Sequence, residues 1–200
     1  MESVWSNSCE FEKREKLNED IETDVVVIGA GLAGILIAYL LKDSGKKVVV
    51  IDRDKIASGN TKNTTAKITS QHDLIYNKLI EEFGEEKARQ YAKANELAIK
   101  KYKEIIKERN IDCDFEEVPA YVYSLDSIEN ISKEVEAAKK VGIDAEFVSR
   151  GNLPMKIKGA VKFNNQGQFN PLKFINAIYK DLTIYEETTA LEVEENLVVT

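Results

Sequence analysis

Asp24-Val25-Val26-Val27-Ile28-Gly29-Ala30-Gly31-Leu32-Ala33-Gly34 is an apolar, β-branched run that feeds directly into a Gly-x-Gly-x-x-Gly turn. A string of this kind binds anions with its backbone. Gly29 permits a tight turn out of the strand, Gly31 lets a pyrophosphate approach without a Cβ in the way, and Gly34 lets the next helix sit close to the strand. The N–H groups of Leu32, Ala33 and Gly34 open that helix, and its positive dipole end faces the phosphates. Four consecutive β-branched residues predict a central parallel strand buried on both faces. The glycines alone would also suit an ordinary turn of an α/β protein, so the flanks decide. Leu32 to Lys42 is a strongly apolar helical stretch with Gly45 placed to end it. Lys47 to Ile51 is a second strand, and it closes on Asp52, 18 residues beyond Gly34, where a carboxylate meets a ribose hydroxyl pair in a βαβ unit. The spacing predicts a dinucleotide site.

The stretch that follows bears on which dinucleotide. From Arg53 to Ser70 the chain is a long polar segment that includes Ser58, Gly59, Thr61, Thr64, Thr65 and Ala66. A nicotinamide-binding unit would proceed sooner to another helix and strand. A loop rich in small hydroxyl and amide residues can wrap an extended cofactor, donating Ser, Thr and backbone N–H bonds to phosphate and ribitol oxygens. Composition alone also fits a solvated surface loop, and a nicotinamide-dependent dehydrogenase or a non-catalytic dinucleotide module stays open as the alternative function.

The strand and turn, the acid closing the second strand, and Ser58-Gly59-x-Thr61 followed by Thr64-Thr65-Ala66 together resemble the FAD-dependent D-amino-acid oxidase and glycine oxidase superfamily. Ser3-Val4-Trp5, Thr64-Thr65-Ala66-Lys67 with Gln71-His72, and Asn165-Gln166-x-Gln168-Phe169-Asn170-Pro171-Leu172-Lys173 are similar to a bacterial branch, some members of which carry a C-terminal Rieske iron–sulfur domain. Two positions depart from that pattern: many relatives have His in place of Asn170, and most have Glu in place of Asp52, a change that keeps the carboxylate. The resemblance implies FAD as cofactor, held by Gly29, Gly31, Leu32, Ala33, Gly34, Asp52, Arg53, Ser58, Gly59, Thr61, Thr64, Thr65, Ala66 and the backbone of Ala190 at the adenine edge. It implies hydride transfer to flavin from a C–H next to nitrogen in a small amine or amino-acid-like substrate. Lys67 is a candidate cation near the flavin or its phosphates, against a plain solvated lysine. His72, the single histidine, is a candidate ring-facing or proton-handling group, against a helix-start or surface role. No metal is implied.

Other elements follow from periodicity. Asp73 to Phe83 reads as a short amphipathic helix and Glu85 to Asn110 as a long one, whose Ala88, Tyr91, Ala92, Asn95, Ala98, Ile99, Tyr102, Ile105 and Ile106 recur at helical spacing. Short strands are predicted at Asp114 to Val118, Ala120 to Leu125, Ala145 to Val148 and Lys158 to Phe163. Asp126-Ser127-Ile128-Glu129 offers a capping box for a helix to about Val141. Tyr121 and Tyr123 share one strand face, either lining a substrate cavity or packing. Asn170 caps a helix that has Pro171 at its first position, Thr183 to Glu186 is a parallel strand, and an antiparallel layer begins at Ala190. Trp5 pins an N-terminal arm to the body. The expected fold class is α/β: a Rossmann-like FAD-binding domain with a parallel sheet, plus an inserted α+β cap. Residues 1–80 form its first part, with an arm over 1–22; 81–163 form the cap; 164–200 form the second, incomplete part.

The bulk properties exclude several classes. Of 200 residues, 32% are charged, and the net charge is −7. That balance argues against nucleic-acid or anionic-membrane binding. The longest apolar stretch, Leu32 to Leu41, is too short to span a bilayer, and the acidic, polar N-terminus has no signal-peptide pattern. Cys9 and Cys113 show no metal spacing, which points to reduced thiols and a cytoplasmic address. Chains of the similar superfamily run at least about as long again, so a fragment is expected, one that either forms a homodimer through the raw strand edge at its end, folds imperfectly or binds FAD poorly.

Overall fold

The computed structural model describes residues 3–149 and 156–200. The segment 150–155 of the predicted cap lies outside the described residues. In chain order the strands are β1 (Val25–Ile28), β2 (Val48–Ile51), β3 (Lys67–Ile68), β4 (Glu116–Glu117), β5 (Ala120–Ser124), β6 (Ala145–Val148), β7 (Gly159–Phe163), β8 (Gly167–Gln168), β9 (Thr183–Tyr185), β10 (Glu192–Glu194) and β11 (Leu197–Val199). The helices are α1 (Leu32–Leu41), α2 (Tyr76–Glu108), α3 (Glu129–Lys140) and α4 (Pro171–Ile178). The chain divides into two compact units, one of 1–66, 111–113 and 170–200, the other of 67–110 and 114–169.

The first unit holds a parallel sheet of order β1-β2-β9, with Val25 opposite Val48 and Ile51 opposite Tyr185. Helix α1 packs on β1, β2 and α4, burying Ile35 and Ala38. Full burial of one such aliphatic side chain stabilises by roughly 2 kcal/mol. The expectation of a central β1 buried on both faces is corrected. Among the described residues β1 is an edge strand with Ile28 53% exposed, and β2 takes the centre, with Val49, Val50 and Ile51 all buried. A run of β-branched residues marks a buried strand but does not say which of two such runs has neighbours on both sides. Asn170 caps α4, its Oδ1 accepting the N–H groups of Leu172 and Lys173 at 3.2 Å each, with Pro171 in the first turn. The antiparallel hairpin β10–β11 begins at Glu192, not at Ala190, which belongs to no strand.

The second unit packs α2 and α3 on the antiparallel sheet β5-β7-β6, and β8 pairs with both β3 and β4 in a smaller sheet. Its core includes Tyr76, Ala88, Ala92, Ile131, Val135, Ala138, Val161 and Phe163. Gly84 interrupts α2 with φ +81°, so the predicted break between a short and a long helix is there. The first segment, however, starts at Tyr76 rather than Asp73, which itself adopts a positive φ of 65°. The predicted capping box is also corrected: α3 starts at Glu129 with Ile128 as its cap residue and no side-chain bond from it. Ser127 Oγ instead accepts the N–H of Glu129 at 3.2 Å, and Ser124 Oγ accepts those of Asp126 and Ser127.

Candidate dinucleotide-binding cradle

The turn after β1 is fixed by backbone. Gly29 adopts φ +107° and donates its N–H to Ile51 O at 2.8 Å, locking the turn to the end of β2. A Cβ on Gly34 would lie 1.9 Å from the carbonyl oxygen of Gly29, so only glycine allows α1 to sit this close to the strand. A Cβ on Gly31 would lie 3.1 Å from Thr61 Oγ1. Gly31 caps α1 and offers no side chain to its first turn, which leaves the opening N–H groups to outside acceptors.

Asp52 faces this turn. Its Oδ2 accepts the N–H of Ala30 at 2.6 Å and its Oδ1 that of Asp54 at 2.8 Å, and the residue is half-buried. Its backbone is held by neighbours in the sheet, donating to Tyr185 O and accepting from Thr188 N–H. Each carboxylate oxygen keeps lone-pair capacity for a sugar hydroxyl. Arg53 is exposed and directs its guanidinium to the carboxylate of Asp54, 3.3 Å away.

The polar loop folds back on the same turn. Thr61, in the short 3₁₀ turn Asn60–Asn63, accepts the N–H of Leu32 on its Oγ1 at 3.0 Å. Its hydroxyl hydrogen is then a donor at the mouth of the helix. Ala57 donates its N–H to Ala30 O at 3.0 Å, and Ala66 donates to Thr64 Oγ1 at 3.2 Å. Ala57 and Ala66 are buried non-glycine residues at φ 57° and 60°. Ser58 and Thr64 are half-buried, while Gly59, Thr65 and Ala33 are exposed. Buried Ile56, Ala57 and Ala66 distinguish this segment from a merely solvated loop. The structure therefore brings Gly29, Gly31, Leu32, Gly34, Asp52 and Thr61 into one cluster around the glycine turn, tied by the bonds of Ala30 to Asp52 and Ala57 and of Leu32 to Thr61.

Other predicted residues stand apart from that cluster. Ala190 is half-buried, between Thr189 and Leu191, which line a groove of about 520 Å³ with residues 16–20. Lys67 and His72 belong to the second unit, and both are exposed. The Nδ1 of His72 lies 2.7 Å from the hydroxyl of Tyr91. Sequence reasoning missed Glu186, which is 3% exposed and accepts the N–H groups of Ile56 at 2.8 Å and Arg14 at 3.1 Å. The signal for it was a second acid in register: Ile51 pairs with Tyr185, so both neighbouring strands close on a carboxylate, Asp52 and Glu186.

A glycine turn, a strand-end carboxylate and a threonine-bearing loop arranged this way belong to a known group. Residues 24–200 match the family model DAO, described as FAD dependent oxidoreductase. The chain belongs to the DAO family of FAD-dependent oxidoreductases. It is 38% identical over 201 residues to the Rieske 2Fe-2S iron–sulfur protein YhfW of Bacillus subtilis (strain 168), covering 97% of this chain and 40% of that one. Among solved structures, L-amino acid deaminase from Proteus vulgaris with its specific insertion deleted aligns at TM-score 0.69 and 19% identity, over 94% of this chain and 51% of that one. Glycine oxidase from Bacillus cereus ATCC 14579 aligns at TM-score 0.61 and 22% identity, over 88% and 50%. The chain thus spans about two fifths of its curated relative's length. The family's cofactor is FAD, and the cradle suits it: glycine-only backbone where a diphosphate would approach, helix N–H groups, and a carboxylate beside them. No helix among the described residues is long and apolar enough to cross a membrane.

Proposed function

We propose that this chain holds the FAD of an oxidoreductase that removes hydride from a C–H next to nitrogen in a small amine or amino-acid-like substrate. The observation that carries the proposal is the bond from Ala30 N–H to Asp52 Oδ2, which fixes a carboxylate at the lip of the glycine turn. In this reading Leu32 N–H orients the Thr61 hydroxyl, that hydroxyl and the N–H groups of Ala33 and Gly34 hold the diphosphate, and Asp52 orients the AMP ribose. Arg53, Ser58, Gly59, Thr64, Thr65 and Ala66 line the cofactor's course, and the backbone of Ala190 meets the adenine edge. Bound FAD supplies the hydride acceptor; the protein supplies orientation, water exclusion and electrostatics. Lys67 is the candidate cation for charge that develops on reduction, and His72 the candidate proton-handling group. The names of the structural neighbours, an L-amino acid deaminase and a glycine oxidase, support the nitrogen-bearing substrate class.

The test is direct. The purified full-length protein is expected to be yellow, to release FAD on denaturation, and to bleach anaerobically with one member of an amine and amino-acid panel. A colourless protein that gains thermal stability from NAD and none from FAD would overturn the proposal.

A further inference from the structure

The arm ahead of β1 has almost no regular secondary structure, yet it is tied down along its length. Trp5 Nε1 donates to Thr64 O at 2.9 Å. Phe11 packs edge-on against Tyr179, whose hydroxyl accepts the N–H of Glu12 at 3.0 Å. Arg14 N–H donates to the buried carboxylate of Glu186, and Glu186 N–H returns a bond to Glu15 O at 3.2 Å. Leu17 N–H then donates to Thr188 Oγ1 at 3.1 Å. The family match begins at residue 24, so the arm's side of each contact precedes the matched residues, while the partners Thr64, Tyr179, Glu186 and Thr188 lie within them.

One of the ties ends on the cofactor loop, at Thr64, and a second reaches it through Glu186, which the arm and the loop share; each lies near one of the loop's strained alanines. Glu186 Oε1 accepts the N–H of Ile56, the residue before Ala57, at 2.8 Å. Thr64, whose carbonyl takes the Trp5 bond, is also the residue whose hydroxyl accepts Ala66 N–H. Ala57 and Ala66 occupy the left-handed region, which alanine adopts only when its surroundings over-determine it. The glycine turn bonds the same loop at two other places, Ala57 N–H donating to Ala30 O and Leu32 N–H to Thr61 Oγ1, and Glu187 N–H reaches Asp54 O at 3.3 Å. The arm grips it independently of that turn.

We propose that the N-terminal arm is a brace that holds the cofactor loop in its binding-ready form before FAD arrives, with Trp5 and Glu186 as positioning residues. The brace rests on the reading of this loop as the FAD loop. It acts by preorganisation: the loop's ordering cost is met in the apoprotein, so less is lost when the cofactor binds.

The experiment compares Trp5→Phe, which keeps the ring and loses the N–H, and Glu186→Gln, which keeps one acceptor and loses the other, in the full-length protein. Apoprotein is titrated with FAD, and amide hydrogen exchange is followed over 56–66 without flavin. Glu134→Gln, which perturbs the second unit, is the stability control. The brace predicts faster exchange over 56–66 and an FAD Kd raised about five- to tenfold both in Trp5→Phe, on the arm, and in Glu186→Gln, at the link between arm and loop, with neither change in the control. Variants at these two positions that melt earlier while leaving loop exchange and Kd within about twofold of the parent would overturn it. If the parent binds no FAD, the cofactor reading fails, and unchanged exchange over 56–66 would still overturn the brace by itself.

Discussion

The wholly buried carboxylate of Glu134, on α3, accepts the N–H of Tyr76 at 2.8 Å, at the first residue of α2. The same oxygen takes Ile75 N–H at 2.9 Å, and the second oxygen takes Asn77 N–H at 2.9 Å. Ile75, the cap residue of α2, has no polar side chain, so a glutamate from another helix does the capping. It also places negative charge at the positive end of the helix dipole.

Replacing Glu134 by Ala leaves three N–H groups without their acceptor, that of Tyr76 buried and those of Ile75 and Asn77 partly buried. The expected loss is about 3 kcal/mol, read as a lower urea midpoint. Glu134→Gln keeps one acceptor oxygen, and its expected loss is roughly half that.

Gly34→Ala and Gly29→Ala separate contact from conformation. At Gly34 the new methyl meets the Gly29 carbonyl, and the expected cost is about 3 kcal/mol with loss of FAD binding. At Gly29 there is open space, and the penalty comes from φ +107° alone, about 1–2 kcal/mol. Thermal melts with and without FAD distinguish the two.

Asp52→Asn keeps the shape of the side chain but removes the charge that accepts Ala30 N–H. FAD affinity is expected to fall at least about tenfold, measured by titrating the apoprotein. Asp52→Glu keeps a carboxylate on a side chain one methylene longer, and it is expected to bind close to the parent.

Glu85 links α2 to the end of α3. It lies 2.9 Å from Lys140 Nζ and 2.6 Å from Arg89 Nη2, and Arg89 also reaches Lys140 O. Hydrogen bonds from Lys140 and then Arg89 hold its carboxyl below the usual glutamate range. A carboxyl lowered on folding stabilises above its unfolded pKa, and that contribution is lost as pH falls through the lower folded value. Glu85→Gln is therefore expected to lower the urea midpoint at neutral pH and to converge with the parent as pH falls through the lowered carboxyl's titration, with added salt shrinking the neutral-pH gap.

What the residues disclosed by themselves was local. The glycine turn, Asp52 at the close of β2, the break at Gly84 and the Asn170-Pro171 start of α4 each carry their cause within a few positions, and each stands where the pattern puts it. What they hid depends on distant partners. The Asp126 box gave way because Ser124 and Ser127 supply the turn's acceptors. The start of α2 waits on Glu134, 58 residues later than Tyr76. Trp5 suggested a pin, but nothing near it in sequence names Thr64 as its acceptor. Edge or centre for β1 depends on where β9 pairs, and only the folded sheet decides that.

The parallel sheet also carries a timing consequence. Strand β9, at Thr183–Tyr185, is the neighbour that places β2 at the centre, yet more than a hundred residues are synthesised between them, among them the whole second unit. At about 5–20 residues per second, a ribosome leaves β2 without that neighbour for several seconds or longer, while the helical unit has already emerged and can fold. Nascent chains halted with Phe169 clear of the ribosome and β9 still inside it should then present a finished second unit and an apolar strand that chaperones can grip.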